Sequence, residues 1–534
     1  MRPRVLTPTI VVLLAAGVAL AGRYEAFTRK AAQGPKMSVV AATYFGDEAV
    51  EEFVGAVGLP DGSVLAVGNS WGPQFPAAPQ PRILGTGRHA GAPVFNTVKT
   101  RSGQREQLDD ASPDRTGFIV HYAPNLSAIK SVTRFDWGVA SITAVALTKD
   151  NQLIIAGRCG PAFPTLARVG AATASAVGGS GSVSVYVAKM DPLSGKLAWV
   201  MSVDRVGEDP DKIWIDNAGN MYFTSSGLNK INPAGNRLEK LTTLGSSTAS
   251  VRTVDPRDGS FYFGGDRNTN TGREPWRQPY YYRFDPTGKE KLLTFWEWKS
   301  RGLRDGSLPG IQGDVSDSSP RLTEWTNDGD LLIFVWSDGG NTVVRKQPTD
   351  YTKPVPGVPF GMDNSGMKNA NSLTHIIRIN PETKQAKWIG LWMGYLPDNF
   401  QEQRLRGAPN GMNFRSLAVL EDNSFIFSGG AGTGLIQTPG AFVVPPADGS
   451  KYGGAYVACF DENMTNLLFS SYMPGCEDVK VARVRNGAVA VSRSRGSDAL
   501  ADRPATPTPT VNALQDKPMG RYDAHILLLR SPGR

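Results

Sequence analysis

"YDAHILLLR" (residues 522–530) is the last apolar stretch of this 534-residue chain, and it has no partner downstream. Its counterparts, "YVAKMDPLSGKLAWVMS" (186–202) and "YVACFDENMTNLLFSSY" (456–472) among them, each continue through a turn into a second strand. Here the chain stops first. A surplus sits at the other end, where "VVAATYFG" (39–46) reads as a strand without a hairpin partner. Whether these two fragments belong together decides the fold.

The sequence between them is a repeat. Its first half is strand, acidic-Gly turn, strand, as in "VGAVGLPDGSVLAVG" (54–68), "TAVALTKDNQLIIAG" (143–157), "VRTVDPRDGSFYFGG" (251–265) and "LTEWTNDGDLLIFVW" (322–336). Its second half is again strand, turn, strand, often bent at Asp-Pro or Asn-Pro, as in "YYRFDPTGKEKLLTF" (281–295). Period-2 apolar alternation around a Gly, Asn or Asp turn is a hairpin signal. Its recurrence, 41 residues apart at the shortest (Asn217 to Asp258), is the signature of four-stranded propeller blades. First halves number seven and complete second halves six. The expected fold is therefore an all-β, seven-bladed β-propeller of four-stranded antiparallel blades. Residues 39–46 close the ring as the outermost strand of the last blade.

"AATYFGDEAVEEFVGAVGLPDGSVLAVGNSWGPQFP" (41–76) resembles the exported bacterial β-propeller repeat called SBBP: a "TYLGG"-like strand, an acidic loop, "AVDSDGN", "YVTG" and a closing "FP". Phe163-Pro164 repeats that ending, whereas blades 3 to 5 lack it. The resemblance implies an exported propeller and assigns no activity, because fold does not fix function.

Export is also expected from the N-terminus. Arg2 and Arg4 precede the apolar run "IVVLLAAGVAL" (10–20), and Ala19-Leu20-Ala21 fits a signal-peptidase site. The run is short for a membrane span. The expected organisation is a signal peptide over 1–21, a linker over 22–38 and the propeller over 39–534, with a periplasmic, cell-surface or secreted location. The formal charge of +8 falls to +6 without Arg2 and Arg4. No Lys/Arg block marks a nucleic-acid surface. Hairpin symmetry sets Cys459 opposite Leu468 and leaves Cys476 about 26 Å out of register at 3.3 Å per residue, too far for a disulfide. The polar segment "RPATPTPTV" (503–511) reads as a mobile linker.

In a four-stranded meander, the turns after strands one and three share one face and the links after strands two and four share the other. The first set is tight throughout. The second contains every long insertion: residues 69–116, 158–184, 299–320, 337–373, 393–414, 429–454 and 493–521. Loops on a rigid scaffold commonly carry function, so the long-loop face is the expected binding face. Acidic links into the innermost strands should crowd the channel mouth there: Asp47, Glu48, Glu51 and Glu52, then Asp136, then Glu208, Asp209 and Asp211, then Asp314 and Asp317, then Glu477 and Asp478. Such carboxylates could hold Ca²⁺ or a cationic group, share a proton, or be ordinary solvated turn residues. Apart from possible Ca²⁺, no cofactor is indicated. Trp71, Trp137, Trp276, Trp298 and Trp392 lie in or beside the long loops and are candidates to stack on sugar rings. Trp199, Trp214, Trp325, Trp336 and Trp388 fall within strands and are expected to wedge blades apart.

Catalytic signatures are missing. The four histidines form no H-E-x-x-H, no Cys/His zinc pattern occurs, and no G-x-S-x-G elbow is present. His121 falls in a slot held by Lys189, Lys230, Arg283, Arg378 and Cys459 in other blades, which marks a scaffold position. The expected function is a non-catalytic exported propeller binding a protein partner or a surface glycan through its long-loop face. The alternative is a polysaccharide hydrolase or lyase using carboxylates at the channel mouth, which needs two carboxyls roughly 5–10 Å apart.

Overall fold

The computed structural model describes the blade strands, their tight turns and parts of the insertions. Residues 1–30, 72–78, 88–96, 100–104, 108–115, 160–173, 178–183, 205–209, 243–248, 269–276, 297–316, 338–342, 361–372, 393–412, 432–434, 443–453, 496–507 and 532–534 lie outside that description, as do positions 49, 138, 226, 359 and 521.

Seven antiparallel meanders form seven blades. Their first strands are Glu51–Gly58, Val139–Leu147, Ile213–Ile215, Ala249–Val254, Ser318–Trp325, Ser416–Val419 and Cys476–Val484. Each first strand touches the first strand of the blade on either side, and the contact from blade 7 back to blade 1 closes the circle. These seven strands therefore line the axis. In blade 7 the order outward is Cys476–Val484, Gly487–Arg495, Tyr522–Arg530 and Ser38–Phe45. Ser38 lies opposite Arg530 and Phe45 opposite Ala524, so the N-terminal strand supplies the partner that the end of the chain lacks.

The core is a set of seven wedges, one in each gap between neighbouring blades. Between blades 5 and 6, for example, Phe334, Trp388 and Trp392 meet Phe425, Phe427 and Phe460. Blades 7 and 1 meet through Phe45, Phe53, Phe118, Val489 and Ile526. Alternate residues of a strand point to opposite faces, so each apolar side chain serves one gap or the other. Trp199 shows why glycine is needed at one tight turn. Its ring packs against the blade-3 turn at Gly235, where an added Cβ would fall 2.2 Å from Trp199 Cδ2, and Gly235 has φ +69°.

In four blades the third-strand slot ties the blade's own first hairpin together. Arg378 Nε donates to Asp330 Oδ2 at 2.6 Å, and Arg283 NH2 to Asp258 Oδ2 at 2.9 Å. Lys189 Nζ lies 3.5 Å from Asp150, and His121 Nε2 lies 3.0 Å from Ser63 Oγ. In every case the partner sits in the turn between strands one and two.

The insertions after strand two do more than project from one face. In blade 1, Arg82–Gly87 pairs in parallel outside Ile129–Trp137, and in blade 2, Ala174–Val177 does the same outside Leu197–Asp204, so both blades have five strands rather than four. In blade 5, Ile389 donates to Pro356 O at 2.9 Å and accepts from Val358 at 3.1 Å. In blade 6, Thr438 donates to Ser470 O at 3.1 Å, and in blade 7, Val511 pairs with Ala42. Five blades thus have an outer edge covered by their own insertion, which shields an otherwise open row of backbone donors and acceptors.

Two expectations are corrected. Cys459 faces Phe469, because a register shift beside it moves the hairpin by one residue; Cys476 begins the next blade, and all three cysteines are buried. Thr508–Val511 is no mobile linker: Thr508 is buried, hydrogen-bonded to Ser494 Oγ at 2.7 Å, and its carbonyl accepts from Tyr44 OH. Ahead of the first strand, Ala31 and Met37 are buried and Met37 N donates to Leu468 O.

Candidate functional site: the long-loop mouth of the channel

First strands run from the long-loop face toward the tight-turn face, so their opening residues ring the mouth. Glu51 and Glu52 open blade 1, Asp211 and Lys212 precede blade 3, and Glu477 and Asp478 open blade 7. Ring closure adds residues that the linear sequence keeps far apart. Because Phe45 pairs with Ala524, Asp523 is placed beside Gly46 and the Asp47–Glu51 link.

Two carboxylates meet there. A Cβ on Gly46 would lie 2.9 Å from both Asp523 Oδ1 and Glu51 Oε2, so those oxygens are less than twice that distance apart. Neither residue is exposed. Glu51 accepts from Ser70 Oγ at 2.9 Å and from the Asp47 amide at 3.3 Å. Asp523 accepts from the amides of Met519 and Gly520 at 2.8 and 2.9 Å and from Gln515 Nε2 at 3.1 Å. Burial pushes the Glu51 carboxyl well above the usual range, with Asp47 adding to the effect. Burial likewise raises Asp523 to about 6 against the pull of its amide donors. Trp71, Val50 and Tyr522 form the small apolar cluster at this seam.

The remaining acids do not make an acidic funnel. Glu477 is clasped by Arg493 NH2 at 2.7 Å and Arg495 Nε at 2.8 Å. Burial alone would raise its carboxyl, but the two guanidiniums outweigh that and hold it low. Arg493 also lies 3.5 Å from Glu52 and stacks over the Tyr522 ring. Lys212 of blade 3 pairs with Glu324 of blade 5, two blades that are not neighbours, so the contact crosses the channel interior. Among the described residues no group of three or more His, Cys, Asp or Glu could hold a metal ion.

The other candidates scatter. Asp136 belongs to the fourth strand of blade 1, away from the axis, where Arg134 grips it with bonds of 3.0 and 2.8 Å. Asp317 pairs with Arg277 at 2.7 Å. Glu48, Asp211 and Asp478 are exposed, whereas Asp47 is half-buried. Trp71 and Trp392 are buried, at 4% and 0% exposure, so neither offers a ring face to a sugar. Glu208, Asp209, Asp314, Trp276, Trp298 and the Trp137 side chain lie outside the described residues. Asp523, Arg493 and Arg495 escaped the sequence reading. Arg493 and Arg495 stand two apart in "VSRSR" and so share a face, a signal that becomes useful only once Glu477 is known to lie opposite.

No protein family's sequence profile matches the chain, and no curated protein matches it. Among solved structures it is similar to the WD40 β-propeller domain of Doa1, at 10% identity and a TM-score of 0.37 over 92% of this chain and 96% of that one. It is also similar to an ulvan lyase described as a new family of polysaccharide lyase, at 10% identity and a TM-score of 0.36 over 85% and 93%.

Proposed function

We propose that the protein is an exported, non-catalytic β-propeller, akin to the SBBP repeat proteins, that binds a protein partner or a cell-surface polymer through its long-loop face. One observation carries the choice of binding over catalysis. At the described mouth, the two acids with raised pKa are sealed in the seam between blades 7 and 1, and the best-placed others are neutralised by arginine. A glycosidase needs a carboxyl pair that reaches the scissile bond. Glu51 and Asp523 have the proximity but not the access. Among the described mouth residues, the acids left exposed, Glu48, Asp211 and Asp478, belong to three different blades.

The direct experiment is a screen against glycans and cell-wall fractions, with and without calcium. Retention on at least one polymer or surface protein is expected, and it should fall when the 393–414 link is shortened to a Gly-Ser turn. Binding that survives every change on the long-loop face would remove this reading.

A further inference from the structure

On the tight-turn face, neighbouring blades are joined by direct bonds between their turns. Lys149 Nζ reaches Asn217 Oδ1 at 2.8 Å from blade 2 to blade 3, and the Asn327 amide donates to Asn423 Oδ1 at 2.7 Å from blade 5 to blade 6. The seam between blades 7 and 1 has such bonds too, but they stand apart. Arg485 NH1 donates to Pro60 O at 2.8 Å and Arg530 NH2 to Asn125 Oδ1 at 2.8 Å. Between them lies an open hollow of about 290 Å³, walled by Arg485, Arg530, Asn125, Asn486 and Asp61.

The wall is rich in unused donors. A guanidinium carries five N–H groups in a planar fork that matches carboxylate and phosphate oxygens. Arg485 uses one of them, and Arg530, which also donates to the Arg485 carbonyl, uses two. The single carboxylate on the wall is already engaged: Asp61 accepts from the Ser63 amide at 2.9 Å and faces Lys130 at 3.4 Å. Its charge is balanced, whereas the two arginines have no carboxylate partner among the described residues.

We propose that this hollow binds a small oxyanion, a phosphate or a carboxylate, gripped by Arg485 and Arg530 where the ring closes. Charge-assisted bonds to guanidinium are among the stronger hydrogen bonds a protein makes, and a volume near the lower end of ligand pockets suits a compact anion. Both arginines belong to blade 7 and already reach across to blade 1, so a bound anion would brace the ring at its closure. The site is on the face opposite the long loops, and it stands or falls independently of the function proposed above.

The test is calorimetric titration and melting of the whole protein with inorganic phosphate and with glucuronate, at constant ionic strength in sodium chloride. A saturable rise in melting temperature is expected. Arg485→Gln should weaken binding at least about tenfold, the loss expected of one charged hydrogen bond. Arg483→Gln should leave it unchanged, because Arg483 faces Glu421 of blade 6 instead. Glucuronate that competes with phosphate identifies carboxylate recognition; saturation by phosphate alone identifies phosphate. Should Arg485→Gln fail to fold, Asn486→Asp, which adds a negative charge to the wall without touching the seam bonds, must weaken phosphate binding. An absent or non-saturable response to both anions, or an equal one in Arg485→Gln, would overturn the proposal.

Discussion

Ala42 and Val511 exchange both of their backbone hydrogen bonds, Ala42 N to Val511 O at 2.7 Å and Val511 N to Ala42 O at 3.0 Å. The strand that closes the ring is therefore paired on both sides: inward with Tyr522–Arg530 and outward with the insertion of its own blade. An outermost strand held this way leaves little open edge.

Removing residues 39–46 should expose the Tyr522–Arg530 edge and strand the 508–515 segment that packs on it. Open edges template aggregation. Calorimetry and light scattering of the truncated protein should show a lower melting temperature and concentration-dependent association. An unchanged melting temperature would contradict the closure.

Arg378 should be among the costliest single side chains to remove. It is 4% exposed and bonds Asp330, which is fully buried and otherwise relies on Lys387. Arg378→Met leaves a buried carboxylate short of a partner, at a cost of about 3 kcal/mol. Denaturant unfolding of Arg378→Met, Asp330→Asn and the double variant should show the double variant recovering part of the loss.

The Glu51–Asp523 pair sets a pH dependence whose sign follows from the raised pKa values. A carboxyl raised in the folded state binds its proton more tightly there than in the unfolded chain, so folding is favoured at low pH and loses that advantage as pH rises. The loss begins near the ordinary carboxylate pKa of about 4 and, for Asp523, is complete above about 6, with Glu51 extending it higher. Other acids such as Asp61 and Glu477 shift the opposite way, so the comparison must be between variants. Glu51→Gln should be more stable than wild type at pH 8 by at least about 1 kcal/mol, with the difference vanishing near pH 4. A constant difference across that range would refute the assignment.

Calcium should raise the melting temperature no more than magnesium does. Glu52 and Glu477 are already served by Arg493 and Arg495, so the described mouth has little uncompensated charge for a divalent ion to neutralise. A specific, saturable calcium shift would place a site on the acids outside the described residues, Glu208 and Asp209 included.

The closing strand was legible in the sequence because strand alternation is a period-2 signal and the halves could be counted. The edge straps were not. Those of blades 5, 6 and 7 rest on a few backbone bonds at Pro356, Val358, Thr438 and Val511, and backbone pairing of one or two residues leaves no side-chain pattern. The acids were visible singly as turn residues, but their fates depend on Arg493, Arg495 and Asp523, more than 400 residues from Glu51. Trp392 illustrates a different failure. It ends a strand at the border of a long link, where sequence cannot tell a surface ring from one packed against Phe427 and Phe460.

Binding without turnover is the central functional claim, and release of new reducing ends from any polysaccharide the protein retains tests it most directly. Retention with no chain cleavage, in wild type and Glu51→Gln alike, is the expected result. Polymer shortening by the wild type that is abolished in Glu51→Gln or Asp523→Asn would contradict the claim and make the seam carboxylates a catalytic pair.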